Sequence, residues 1–141
     1  MKKQGSSRAE KGQSMVELGV SLVFILVLLA GTVDVGRALF TYMDLREAAQ
    51  EGALYGSIYP ADTSGIATRV QGAATASGIT SNSFNINVSV LGSPCTGNGI
   101  RVDVAINNFP ITTPFLGAVI GTQTVAISAS ATDTILSPAC T

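Results

Sequence analysis

Few side chains in this sequence are able to do acid–base or covalent chemistry, and their spacing limits them further. The chain has no His and no Trp, which removes the commonest general base and the commonest metal ligand. Serine triads and His-bearing zinc sites are therefore excluded. The carboxylates Asp62, Asp103 and Asp133 are scattered, with neither the spacing of an acid–base dyad nor that of a calcium loop. Gly97-Asn98-Gly99 reads as a turn, because neither the Lys nor the helix signal that a phosphate cradle requires follows it. No catalytic residue, metal ligand, cofactor or small-molecule substrate is assigned, and an enzyme is not expected. What remains is one carboxylate in an apolar run, Glu17, and two thiols, Cys95 and Cys140.

Glu17 is the only charge between Met15 and Val33, nineteen residues that are otherwise apolar or small. At about 1.5 Å per residue this run just spans a hydrocarbon core of roughly 30 Å. A carboxylate in such a span costs about 2.5–3.5 kcal/mol at the bilayer centre and less near the interface. Glu17 therefore needs either a partner or a route to the cytoplasmic interface. Residues 1–12, MKKQGSSRAEKG, are polar without apolar periodicity and read as a disordered leader. They hold Lys2, Lys3, Arg8 and Lys11, half of the eight basic residues in the chain. That asymmetry puts the N-terminus inside by the positive-inside rule. A cleaved secretory signal, with Ala30-Gly31-Thr32 as its cleavage site, is the competing reading. The net charge of -1 offers no basic field for nucleic acid.

The elements that position these residues follow from periodicity. No proline interrupts Asp34 to Ile58, and Val35, Leu39, Tyr42, Leu45 or Arg46, Ala49, Ala53 and Gly56 recur at helical steps. One helix is expected from Met15 to about Tyr59, apolar all round at first and then amphipathic. Ala48, Ala49, Gly52, Ala53 and Gly56 are small and permit close packing of another element. Asp62-Thr63-Ser64 offers N-caps for a second, short helix ending at Gly78. The period then changes to two, over 84–90, 100–106 and 125–131, which predicts three half-buried strands. Phe115, Leu116, Val119 and Ile120 are expected to make a short helical segment under the sheet. The fold class is α+β: a long N-terminal helix laid on a small three-stranded antiparallel sheet.

The string Lys11-Gly12-Gln13-Ser14-Met15-Val16-Glu17-Leu18 resembles the class III signal of type IV prepilins. The resemblance narrows to the TadE-like family of pseudopilins from the tight-adherence pilus. It is carried by residues 12–17, the aliphatic run, Asp34-Val35-Gly36-Arg37, and Ala48-Ala49-Gln50-Glu51-Gly52-Ala53. The chain departs from that family's usual pattern at Leu18, where Phe is common, and at Gln50 and Leu54, where Arg is common. The resemblance implies a type IV pilin-like fold and cleavage by a prepilin peptidase between Gly12 and Gln13. It also implies that Glu17 meets the N-terminal amine of a neighbouring subunit.

The expected organisation is thus a cleaved leader over 1–12, a transmembrane helix over 13–33, and an extracytoplasmic domain over 34–141. The protein would sit in the cytoplasmic membrane with a single pass, or in the pilus. Asp34 and Arg37, three apart on a helix, are expected either as a solvated pair or with Arg37 reaching a neighbour's carboxylate. Outside the cytoplasm Cys95 and Cys140 are expected to oxidise, with free thiols or intermolecular bonds as the alternative. The function expected is a minor pilin subunit in pilus assembly, with other pilin-like subunits, the peptidase and the membrane as partners. The alternatives are a tethered or secreted adhesion module, which uses the apolar 109–120 segment as its contact surface, and a main filament subunit.

Overall fold

The computed structural model describes residues 7–80, 83–113 and 116–140. Helix α1 runs unbroken over Ser7–Ile58, 52 residues. It starts before the expected Met15, so residues 7–12 of the leader continue the helix, while 1–6 lie outside the described residues. Nothing in Arg8-Ala9-Glu10-Lys11 breaks a helix, and the aliphatic residues beyond supply propagation. Helix α2, Thr63–Ala76, begins where Asp62 caps the Gly65 amide at 2.9 Å. Strands β1 (Asn85–Leu91), β2 (Gly99–Pro110) and β3 (Thr124–Thr134) form one antiparallel sheet in the order β1-β2-β3. A short α3, Leu116–Ile120, lies between β2 and β3.

The expected α+β class holds: the second half of α1 covers the inner face of the sheet. Leu45, Ala48, Ala49 and Ala53 of α1 are buried against Ile66 and Val70 of α2 and Ile100, Val102 and Val104 of β2. The small residues set how closely these layers approach. A Cβ on Gly52 would collide with Val70, and one on Gly56 would lie 2.7 Å from Ile100 Cδ1.

The buried face of α1 differs from the expected one at its first turns. Val35, Leu39 and Tyr42 are exposed, whereas Asp34 is buried and Ala38 is packed against the core. The face is rotated by one residue because Asp34 finds hydrogen-bond donors on the domain, and their geometry outweighs apolar burial at one helix turn. The short helix also differs from expectation. Ile120 is exposed rather than under the sheet. Phe115 lies outside the described residues, as do the side chains of Leu116 and Val119.

Strand β2 departs from strict alternation once. Ile106 pairs with Ile127 and Phe109 with Val125, so three steps on β2 oppose two on β3. This bulge at Asn107-Asn108 reverses the side-chain parity. Phe109 is thereby turned inward and buried, and the chain leaving β2 is bent toward the start of the α1 domain half. The burial of Phe109 removes it from the apolar contact surface expected over 109–120.

Candidate functional site

Gly12, Gln13 and Glu17 all lie inside α1 and are exposed. Gln13 and Glu17 stand four residues apart, on one face of the helix. The surrounding surface is apolar: Met15, Val16, Leu18, Val20, Leu22, Val23 and Phe24 are all exposed. The helix is long and apolar enough to cross a membrane, and none of its apolar window is buried in the domain. Among the described residues no basic side chain forms an ion pair with Glu17.

The second cluster forms where α1 meets the domain. Asp34 is 7% exposed and accepts hydrogen bonds from two consecutive residues of the segment after β2. The backbone N–H groups of Thr112 and Thr113 donate to Oδ2 at 3.0 and 2.7 Å. Their hydroxyls donate to Oδ1 at 2.7 Å and Oδ2 at 2.6 Å. Arg37 Nη1 lies 3.4 Å from Asp34 Oδ1 and also donates to the Thr112 hydroxyl. Its guanidinium stacks over Phe109, 5.4 Å from the ring centroid.

The Thr112 hydroxyl thus takes a hydrogen bond from Arg37 and gives one to Asp34, a charge-assisted chain. The Thr113 and Thr112 hydroxyls, then their amides, hold the Asp34 carboxyl well below the usual carboxylate range, against the opposing effect of burial. Asp34 and Arg37 are therefore not a solvated pair: the structure joins them, but around a loop 78 residues away. Sequence reasoning missed Thr112, Thr113 and Phe109. The one usable signal was a polar Thr-Thr pair within a long uncharged stretch, opposite a lone Asp at the end of the span.

The remaining predicted residues fall elsewhere. Ala48, Ala49, Gly52, Ala53 and Gly56 are buried inside the domain, facing α2 and the sheet. Cys95 and Cys140 form a disulfide with their Cα atoms 5.0 Å apart. It ties the tail after β3 to the β1–β2 loop. The same tail is held by Thr96 N–H to the Pro138 carbonyl at 2.8 Å and Ile135 N–H to the Asn98 carbonyl at 2.8 Å. This is the end of the domain farthest along α1, beside Ser57, whose carbonyl accepts from Leu136 N–H at 2.7 Å.

An exposed apolar helix joined to a helix-covered sheet fits a single-pass membrane anchor bearing a small α+β domain. The TadE-like protein family model matches residues 12–54, in agreement with the resemblance read from the sequence. The matched stretch covers α1 from Gly12 to Leu54 and none of the sheet. No curated protein and no solved structure matches the chain.

Proposed function

We propose that this chain is a minor pilin-like subunit that takes part in assembling a tight-adherence pilus. It is made as a precursor and cut by a prepilin peptidase between Gly12 and Gln13. Residues 13–33 then anchor it in the cytoplasmic membrane, with residues 34–141 outside. Glu17 neutralises the N-terminal amine of a neighbouring subunit when helices gather in an apolar core, where an unpaired charge is costly.

The observation that carries this reading is the junction itself. A basic leader ends in Gly12, a lone carboxylate follows five residues later, and both sit on an uninterrupted helix whose surface is apolar on every side. A plain tether has no need of a carboxylate there. Intact-mass measurement of the protein purified from membranes tests it. The mature chain should begin at Gln13; a start near Thr32 or an intact Met1 would overturn the reading. Glu17→Ala should remain cleaved and inserted yet fail to enter the assembly, scored by co-purification with the other pilin-like subunits. Normal incorporation would rule out the pairing role.

A further inference from the structure

The end of the domain away from the proposed span holds chemistry that the pilin reading does not use. Its tail is docked there by backbone. Gly97 N–H donates to the Ile135 carbonyl at 3.0 Å, Leu136 N–H to the Ser57 carbonyl at 2.7 Å, and the Thr96 hydroxyl to the Pro138 carbonyl at 2.9 Å. Ile135 is fully buried. These contacts, none of them through sulfur, bring Cys140 beside Cys95. Ser57 stands roughly 35 Å along α1 from Asp34 at the helical rise, which lifts the pair clear of the span.

The two cysteines differ in setting. Cys95 is 8% exposed, whereas Cys140 is open to solvent. The Asn98 side-chain amide donates to Cys95 Sγ at 3.6 Å, a contact that favours the thiolate at Cys95 when the bond is open. In thiol–disulfide exchange the accessible sulfur is attacked and the better stabilised one leaves. At the same end runs an open groove lined mainly by Ile58, Tyr59, Pro60, Pro94 and Pro138. Pro94 immediately precedes Cys95, and Pro138 stands two residues before Cys140. Ile58 and Tyr59 are 47% and 55% exposed, so apolar side chains reach the surface on the end that carries the open sulfur.

We propose that Cys140 and this groove form a docking site for a thiol–disulfide oxidoreductase, with Cys140 as the sulfur that bonds to the partner and Cys95 as the one that resolves the mixed disulfide. The proposal rests on the reading above that places residues 34–141 outside the cytoplasm, where thiols are oxidised. The cysteine pair itself selects the occupant: a protein that exchanges sulfur must seat its own disulfide against Cys140, and the groove offers it an apolar footing there. In the forming direction the Cys140 thiolate attacks one sulfur of the partner's disulfide, whose other sulfur leaves as a thiolate. The Cys95 thiolate then attacks the Cys140 sulfur, and the partner's remaining sulfur leaves. Two electrons pass to the partner, and the protons lost from Cys95 and Cys140 balance those that its two thiols take up. Opening the bond runs the same steps backward.

The test opens the native disulfide of the full chain, in detergent, with a thioredoxin whose second active-site cysteine is replaced by serine, so that the adduct is trapped. Acid quenching stops rearrangement, and peptide mapping by mass spectrometry locates the adduct. The expected result is an adduct on Cys140 in several-fold excess over Cys95. Ile58→Ser should slow its formation several-fold while leaving opening by dithiothreitol unchanged. Ile58 is about half exposed in the last turn of α1, so its replacement does not compromise the fold. An adduct on Cys95, on both cysteines alike, or on neither while dithiothreitol opens the bond, would overturn the proposal. Ile58→Ser slowing both reagents alike, or neither, would remove the docking groove from it. These readouts do not depend on processing, so their failure leaves the pilin reading standing. A mature start away from Gln13 overturns that reading by itself.

Discussion

Asp34 shows how one side chain sets the orientation of a helix against a sheet. Its carboxylate satisfies two successive backbone amides and two hydroxyls, none of which has a helix or strand partner at that point. Asp34→Asn keeps the shape but turns half of the acceptor into a donor, facing groups that already donate. The variant should lose several degrees in Tm, measured by circular dichroism of the detergent-solubilised chain. The pH dependence has a definite sign. Because the folded state holds this carboxyl below its ordinary value, its contribution is complete above the usual carboxylate range. It is lost progressively as pH falls below about 4. Asp62, lowered mainly by the Gly65 amide and then by the Ser64 and Tyr55 hydroxyls, shifts stability in the same direction. Melts from pH 6 to pH 2 should therefore fall less steeply in Asp34→Asn than in the parent. At Gly52 the side chain that is absent matters. Gly52→Leu should cost about 2–3 kcal/mol from overpacking against Val70, seen as a lower denaturant midpoint at unchanged slope.

The elements were legible to the extent that each writes its own period. Both α2 and the three strands follow from local spacing and caps, because one face of each meets a core made by its neighbours. The first turns of the α1 domain half were misread for a physical reason. Val35 and Leu39 mark an apolar face, but that face points away from the sheet, and the buried side is chosen by Asp34 through donors far along the chain. No local pattern encodes that contact. The bulge was equally hidden, since Asn107-Asn108 at the end of a strand reads as a loop. Its role is testable by removing one residue. Deleting Asn108 restores strict alternation with Phe109 still inward and opposite Val125. The variant should keep Phe109 buried and the Thr112-Thr113 donors on Asp34, so its stability in denaturant unfolding should stay within about 1 kcal/mol of the parent. Phe109→Ala loses that burial and should cost about 3–5 kcal/mol in the same measurement. By contrast the placing of Gly12 and Glu17 on the same apolar helix needed no distant contact, because it depends on spacing along one element.

At the scale of the molecule, the domain is fastened at two ends by different chemistry. A hydrogen-bonded carboxylate closes the end near the span, and a disulfide with backbone bonds closes the far end. Joining Cys95 to Cys140, 45 residues apart in sequence, stabilises by about 4 kcal/mol in the chain-entropy picture. The double variant Cys95→Ser/Cys140→Ser should lose stability on that scale, and the loss should add to that of Asp34→Asn because the two sites share no partners. The paired fastenings also have a mechanical consequence. A pull on the apolar half of α1 along its axis reaches the domain first at Asp34, where the load passes sideways into the end of β2. Strand and helix lie lengthwise against each other there, so the load shears many contacts at once and does not peel them one by one. The domain can thus be drawn by its helix as a single rigid piece, with the carboxylate clamp as the first joint to feel the tension.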